Sequence, residues 1–370
     1  MPRAWAEIDL DAIRHNVRTL RRIASPAALC AVVKANGYGH GATAVGRAAL
    51  EAGADWLAVA QVEEAVALRD AGIDAPLLLL SEPRIDEVED AVGTGAHLTV
   101  YSSACVAAVA KAVLAARVPA APLHIKVDTG MRRVGVAPGD VLPLARAITE
   151  LAEVRLAGVC THCPVADDPD DPFTHEQLRR FDEIVAELRA AGIDPGVVHA
   201  ANSAATILDP SSHHDMVRCG IAVYGIPPAP RLDGLADLRP ALTLASEVSF
   251  VKRVAAGEGI SYGLHHRFER DTVVATVPIG YADGVPRALG LAGQEVLIGG
   301  RRRPIVGVVT MDQLMVDCGP EGDVAVGDRV VLLGAQGEER ITPDEWAGRL
   351  GTISYEVVCS IGARVARRYR

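Results

Sequence analysis

The sequence predicts an α/β protein with an N-terminal (β/α)8, TIM-like barrel, followed by a C-terminal all-β domain. Over the first two thirds of the 370 residues, short apolar runs alternate with segments of helical spacing. After about Pro227 the pattern changes to short β-rich runs separated by turns. Repeated βα units with short links favour a parallel sheet, and about eight of them favour its closure into a barrel.

Seven of the barrel strands are predicted from apolar runs. These runs cover residues 29–33, 56–60, 77–80, 98–101, 123–127, 154–159 and 197–201. Between them, Ile13, Val17 and Leu20 recur at the spacing of one buried helix face, and a second such face lies near residues 178–193. Glycine is expected to close several helices, because it adopts the left-handed conformation that helix ends require. These glycines are Gly53, Gly72, Gly95 and Gly192. A doubly wound sheet is the competing architecture, but the Gly-x-Gly-x-x-Gly opening expected of it is absent.

The second domain is predicted from a proline-rich stretch between Pro227 and Pro240 and from the strands beyond it. Those strands are expected at residues 247–254, 272–277, 295–298, 304–309 and 329–333. We therefore expect a barrel domain over residues 1–235 and a β-domain over residues 236–370. Residues 4–10 alternate like a strand that either domain could include.

Composition excludes several classes of function. The formal net charge is −10, and no basic face accompanies the short run Arg301–Arg303, for which solvated surface or a partner contact is the simplest interpretation. No apolar run approaches the roughly 18 residues of a membrane span, and no signal core is found at the N-terminus. Seven scattered cysteines favour reduced thiols. We expect a cytoplasmic protein without nucleic-acid or membrane partners.

Polar residues follow the predicted barrel strands at the end where barrel active sites lie. Lys34 opens the segment Lys-Ala-Asn-Gly-Tyr-Gly-His-Gly, whose three glycines suggest backbone crowded against a ligand. Lys126 and Arg133, then His162, and finally Arg218 follow later strands. Each has an ordinary alternative as a solvated or strand-end residue. Together they suit an anionic ligand whose carbonyl a lysine captures as a Schiff base.

These motifs closely resemble the barrel-type (fold-type III) alanine racemases, which use pyridoxal 5′-phosphate, over nearly the whole chain. The matching segments are residues 34–41, 126–133, 162, 202–203, 218–220, 261–263, 280–284, 311–313 and 355–356. The resemblance implies an isomerase that interconverts L- and D-alanine and supplies D-alanine for peptidoglycan. It also implies a homodimer with shared active sites, an amino-acid substrate and no metal.

The resemblance further implies two bases, one for each face of the α carbon. Lys34 carries the cofactor as a Schiff base and then acts as one base. Tyr262 acts as the other, from the β-domain of a partner subunit. Arg218 faces the pyridine nitrogen, and because a guanidinium keeps its protons it weakens the ring as an electron sink and suppresses transamination.

The remaining site residues follow from the same resemblance. The cofactor phosphate is expected to contact Tyr38, Ser203, Tyr355 and the backbone amides of Gly220 and Ile221, with Asn202 beside them. His162 is expected against the cofactor ring. Arg133 binds the substrate carboxylate, Lys126 is possibly carbamylated so that its anion positions this arginine, and Met311 with Tyr281 lines the substrate entrance.

Departures from the family pattern lie at Thr310 and Cys163-Pro164, where substrate range could change. Serine therefore stays open as an alternative substrate, since a pocket for a methyl group rejects an added hydroxyl only weakly. Another reaction of the same cofactor is disfavoured by Tyr262 with Arg218, and a non-catalytic cofactor carrier by the long C-terminal part. Zinc at Cys160–Cys163 is disfavoured because no second ligand pair has the required spacing.

Overall fold

The computed structural model describes residues 3–370. These residues divide into two compact units. The barrel unit contains Ala12–Gly37 and Ala42–Arg239, and the β-unit contains residues 3–11, Tyr38–Gly41 and Pro240–Arg370. The first strand, β1 (Ala4–Ile8), lies in the β-unit, and the next eight strands lie in the barrel unit.

The barrel unit is built on eight parallel strands. They are β2 (Ala28–Val32), β3 (Trp56–Val59), β4 (Leu77–Leu79), β5 (His97–Val100), β6 (Ala121–Lys126), β7 (Val154–Cys160), β8 (Val197–His199) and β9 (Met216–Cys219). Neighbours pair in the order β8-β7-β6-β5-β4-β3-β2-β9. The Asp215 amide also donates to the Val198 carbonyl (3.0 Å) and the Arg218 amide to the Ala201 carbonyl (3.0 Å), which nearly closes the ring between β9 and β8. The predicted barrel is confirmed.

Helices alternate with these strands. They are Leu10–Ala24, Ala42–Glu51, Val62–Asp70, Val88–Gly93, Ser103–Ala116, Val141–Thr149, Phe173–Ala190 and Ser203–Leu208. Ile13, Val17 and Leu20 are buried, as their spacing predicts. The glycines predicted after helices all have positive φ, for example 101° at Gly53 and 75° at Gly192. No helix among the described residues 3–370 combines the length and the apolar character that a membrane crossing requires.

The β-unit is mostly strand. Its further strands are β10 (Leu242–Glu247), β11 (Phe250–Val254), β12 (Gly259–Ile260), β13 (His266–Arg267), β14 (Thr272–Val277), β15 (Glu295–Ile298), β16 (Arg301–Pro304), β17 (Leu314–Asp317), β18 (Arg329–Gln336), β19 (Glu339–Ile341) and β20 (Ala366–Tyr369). One sheet has the order β16-β15-β18-β10-β1-β20, with β19 paired to β18. Smaller sheets have the orders β11-β14-β17 and β12-β13. Two helices, Pro343–Leu350 and Ser354–Cys359, complete the unit.

Two strand predictions in this unit were wrong in detail. The run 247–254 is two strands, because the chain leaves β10 at Glu247 and enters β11 at Phe250. A strand was expected at 304–309, but the observed strand β16 covers Arg301–Pro304 and is rich in arginine. Its charges are paired rather than solvated: Arg302 binds Glu295, Glu339 and Glu345, and Arg303 is buried, donating to Asp323 (2.5 Å).

Candidate active site

Lys34 lies two residues after the end of β2 and precedes a left-handed turn. The φ angles of Ala35, Asn36, Gly37 and Tyr38 are 52°, 51°, 63° and 51°. Left-handed backbone costs a non-glycine residue roughly 1–2 kcal/mol, so the surrounding structure must hold this turn. The turn therefore fixes where the chain leaves Lys34.

Two side chains of the barrel unit hold this turn. The Glu64 carboxylate accepts hydrogen bonds from the amides of Ala35 (2.5 Å) and Ala60 (2.9 Å). The Asn36 side-chain oxygen accepts from the Ala42 amide (3.1 Å). These hydrogen bonds tie the Lys34 segment to the elements beside it. Glu64 carries no functional signal in the sequence, because its role depends on a fold contact 29 residues away.

The glycines of this segment are crowded against the protein itself rather than against a ligand. A side chain at Gly39 would meet the Val358 carbonyl, and one at Gly41 would meet the Tyr369 ring. In both glycines φ is also positive, at 80° and 101°. The sequence correctly indicated close backbone approach but not what the backbone approaches.

Cations converge around His162, which follows β7. Burial, together with the nearby charges of Arg218, Lys126, Arg133 and Lys34, lowers the pKa of His162 from 6.5 to about 3. Its ring is therefore neutral near neutral pH. The barrel mouth thus brings together the four cations that the sequence predicted there, with Arg133 exposed and Arg218 buried.

Arg218 lies within β9 with its guanidinium buried. It donates to the Thr161 carbonyl (2.8 Å), the Ala200 carbonyl (3.0 Å) and His199 Nδ1 (2.8 Å). All these acceptors are neutral. Within the described part of the chain, Arg218 is hydrogen-bonded to neutral acceptors and forms no ion pair with a carboxylate.

The loops after β8 and β9 meet at Ser203. The Gly220 amide donates to the Ser203 hydroxyl (2.9 Å). The Asn202 side chain caps the helix Ser203–Leu208 by accepting from the amides of Ala204 and Ala205 (3.0 Å each), and it donates to the Cys163 carbonyl (3.1 Å). Asn202 thus orients Ser203 rather than offering a free side chain. The amide of Ile221 begins a short 3-10 helix without a side-chain cap.

The loop after β6 is fastened by a residue that sequence reasoning missed. Gln177 is buried and donates to the Thr129 hydroxyl (3.2 Å) and to the His162 carbonyl (3.2 Å). Thr129 and Thr161 also share a hydrogen bond (2.7 Å). Gln177 therefore joins the loop that carries Arg133 to the loop that carries His162. A buried amide on the apolar face of a predicted helix was the available signal.

In the β-unit, Tyr38 and Tyr355 lie together with ring centroids 6.3 Å apart. Tyr262 is 73% exposed, so its phenol is available to another molecule. Left-handed residues flank it, with φ of 65° at Ser261 and 77° at Gly263. The Ser261 hydroxyl donates to the Val308 carbonyl (2.8 Å), which fixes the loop that presents the phenol.

Tyr281 and Met311, which were both predicted to line the substrate entrance, lie close together. The Tyr281 amide donates to the Thr310 carbonyl (3.0 Å), and both side chains are exposed. The Thr310 hydroxyl donates to the Gln313 carbonyl (2.8 Å) and accepts from the Gln313 amide (3.2 Å). Thr310 is therefore engaged in the turn that carries Met311. Within residues 3–370, no group of three potential metal ligands is found.

A parallel barrel with a lysine after its first strand, a cationic mouth and a following mostly-strand unit defines a known class of two-part barrel enzymes. The N-terminal domain of alanine racemase matches residues 8–228, and its C-terminal domain matches residues 241–369. The chain belongs to the alanine racemase family, whose members are isomerases.

Relatives match along the whole chain. The alanine racemase of Symbiobacterium thermophilum is 50% identical over 366 residues, covering 99% of this chain and 96% of that protein. The alanine racemase of D-cycloserine-producing Streptomyces lavendulae superposes with a TM-score of 0.93 at 42% identity, covering 100% and 97%. The Bacillus anthracis enzyme, solved with bound L-Ala-P, gives a TM-score of 0.93 at 39% identity, covering 100% and 95%.

Proposed function

We propose that the protein interconverts L- and D-alanine with pyridoxal 5′-phosphate as cofactor and so supplies D-alanine for peptidoglycan. The observation that carries the proposal is the cationic barrel mouth in which buried Arg218 has neutral partners. This donor set fits the cofactor, which offers a phosphate and an electron-rich ring nitrogen. When bound, pyridoxal phosphate supplies an aldehyde that condenses with an amine and a ring that acidifies the α-hydrogen of the substrate.

The cofactor-binding residues are assigned from the family resemblance. Lys34 would hold the aldehyde carbon, His162 the ring face and Arg218 the ring nitrogen. The phosphate would be held by Tyr38, Ser203, Tyr355 and the amide of Ile221, with Asn202 orienting Ser203. The Gly220 amide, which donates to the Ser203 hydroxyl, would bind the phosphate by exchanging this acceptor for a phosphate oxygen. We place the two domains at residues 1–235 and 236–370. The exception is β1, which pairs with β10 and β20 and therefore belongs to the second domain.

Two groups move the proton. The Lys34 Nζ removes the α-hydrogen from one face of the substrate, and the Tyr262 Oη of the partner subunit returns a proton to the other face; the roles exchange in the reverse direction. Arg218 keeps its own protons, so the ring nitrogen that it faces would stay unprotonated and the ring would withdraw less charge from the α carbon. This favours return of the proton to the α carbon. Arg133 binds the substrate carboxylate, and Met311 with Tyr281 borders its entrance.

The test follows α-proton exchange of L-alanine in D₂O by NMR and D-alanine formation by chiral chromatography. Lys34→Ala abolishes both, and Tyr262→Phe slows both severely. Lys111→Ala, at an exposed position on the helix Ser103–Ala116 outside the assigned site, is the control and retains activity. Borohydride reduction followed by peptide mass spectrometry locates the bound cofactor on Lys34. If neither exchange nor D-alanine is found, alanine is not the substrate; serine in the same assay then tests the alternative substrate.

A further inference from the structure

A row of three histidines crosses the barrel interior and ends on Arg218. His199 Nδ1 lies 2.8 Å from Arg218 Nη1. His199 Nε2 lies 2.8 Å from His124 Nδ1, and His124 Nε2 lies 2.9 Å from His97 Nδ1. The rings come from the end of β8, the middle of β6 and the start of β5. The row therefore runs from the barrel mouth toward the opposite end of the strands.

The chemistry of the groups gives this row one direction. A guanidinium only donates, so His199 Nδ1 must accept, and a neutral His199 carries its proton on Nε2. That proton points to His124 Nδ1, which must accept in turn. His124 then carries its proton on Nε2 and donates it to His97 Nδ1. Every ring has the same tautomer, because each donor is dictated by the one before it.

Burial keeps these rings neutral, as the row requires. Burial lowers the pKa of His199 and His124 well below the ordinary value, and Arg218 lowers both further. Burial likewise lowers the pKa of His97 to about 4, with Arg155 acting in the same direction. Trp56 packs its ring edge-on against His97, with centroids 4.5 Å apart.

The backbone is shaped around His124. The pairing of β6 with β7 shifts register between Leu123 and His124, so that His124 lies opposite Gly158. A side chain on Gly158 would collide with the His124 ring. An irregular strand and a glycine in the middle of β7 both weaken a sheet, and here both make room for one imidazole. A polar ring placed there at such a cost indicates more than filling of the core.

We propose that His124 is a positioning residue for the proposed racemisation: through His199 it fixes the donor direction and the plane of the Arg218 guanidinium, with His97 as the last acceptor of the row. The proposal rests on the proposed function, since it takes Arg218 to face the cofactor ring nitrogen. A guanidinium held by a neighbour with a single allowed tautomer has a single favourable orientation. Such support is of the kind that changes activity by about 10-fold to 100-fold when removed.

The first test reads tautomers directly. Protein labelled with ¹⁵N-histidine is measured by long-range ¹H–¹⁵N NMR, with and without pyridoxal phosphate, between pH 6 and 9. We expect His124 and His199 to carry a single proton on Nε2 throughout. A proton on Nδ1 of either ring, or double protonation, overturns the row.

The second test separates positioning from packing. His124→Leu keeps much of the ring volume but can neither accept nor donate, whereas His124→Gln can do both. We expect the leucine variant of the holoenzyme to lose about 10-fold to 100-fold in kcat with little change in KM, and the glutamine variant to recover most of the loss. In the leucine variant, the tautomer that Arg218 imposes on His199 should remain, but the His199 Nε2 proton loses its acceptor, so its resonance should shift and exchange faster with solvent.

Two results overturn the positioning role: unchanged kcat in His124→Leu, or equal losses in both variants that follow their thermal unfolding temperatures. If His124→Leu does not fold, the half-buried His97→Leu tests the same row, with a smaller expected loss. Absence of racemisation in the wild type overturns the proposed function instead, whereas the tautomers of the row are measured independently of turnover.

Discussion

The amide of Gly220 donates a hydrogen bond to the hydroxyl of Ser203 at 2.9 Å. This bond joins the loops after β8 and β9, and it leaves the Ser203 hydroxyl proton free to donate to an anion. Because hydrogen bonds to charged groups contribute about 1.5–3 kcal/mol, Ser203→Ala should weaken pyridoxal phosphate binding by about 10-fold or more. Equilibrium dialysis of the apoenzyme checks this. Ser211→Ala, on an exposed turn, is the control, and equal affinities in all three proteins would contradict the phosphate assignment.

If the active sites are shared between subunits, as proposed, two inactive variants should complement each other. In a two-fold dimer of Lys34→Ala with Tyr262→Phe chains, one site carries both substitutions and the other carries neither. Random exchange of subunits should therefore restore about a quarter of the wild-type activity. The measurement is alanine racemisation after mild dissociation and reassociation of mixed variants, with each variant treated alone as control. No recovery, with mixed dimers demonstrated by mass spectrometry, would show that each site belongs to one chain.

Much of the fold could be predicted because local pattern and topology agree. Seven of the eight barrel strands are apolar runs in the sequence, and several of the helices between them end at a glycine. The last barrel strand, β9, was not predicted as an apolar run because Arg218 lies inside it and points inward. A charged residue in a short strand removes the pattern on which strand prediction depends.

The helix Pro343–Leu350 in the β-unit was missed although its signal was present. Thr342 precedes it, Pro343 opens it, and the Glu345 amide donates to the Thr342 hydroxyl (3.2 Å). Such a cap with proline at the first position marks a helix start. The C-terminal domain was predicted to be all β from its short strands, and this local helix signal was not used.

The supporting residues of the site could not be predicted in the same way. Glu64, Gln177 and His124 act through contacts with chain segments distant in sequence, and none belongs to a motif. His124 lies two residues before Lys126 on the same strand, so alternation puts both on one face. That pattern identifies a polar inner face of β6 but not the partners that make it useful.

Lys126 is predicted to react with carbon dioxide. Burial lowers the pKa of its amine; Cys160 opposes this shift, but Arg218, Arg133 and Lys34 lower the pKa further. More of the amine is therefore neutral near pH 8 than in an ordinary lysine, and the neutral form attacks carbon dioxide with release of a proton. A ¹³C carbamate signal should appear in protein equilibrated with ¹³C-bicarbonate and grow from pH 7 to 9.

The carbamate signal should disappear in Lys126→Gln and persist in Lys111→Gln, which changes an exposed lysine on the helix Ser103–Ala116. Loss of this anion beside Arg133 should raise KM for alanine more than it lowers kcat, because Arg133 is assigned to the substrate carboxylate. A signal of equal strength in Lys126→Gln would assign the modification elsewhere.

Acid stability should depend on Glu7 in β1. Hydrogen bonds from Arg329 (2.7 and 3.0 Å) lower the pKa of Glu7 from 4.5 to about 2; partial burial opposes this, and the Trp5 indole (2.8 Å) adds to it. Because the folded-state pKa is depressed, the stabilisation is present above about pH 5 and is lost as pH falls toward about 2. With solvent screening, Glu7→Gln should lower the unfolding free energy by about 1 kcal/mol at pH 7. Urea unfolding at pH 7, 4.5 and 3 should show the difference in unfolding free energy between wild type and Glu7→Gln becoming smaller as the pH falls. The exposed Glu338→Gln control should follow the wild type. A difference that stays constant with pH would mean that packing, and not the charge of Glu7, stabilises this strand.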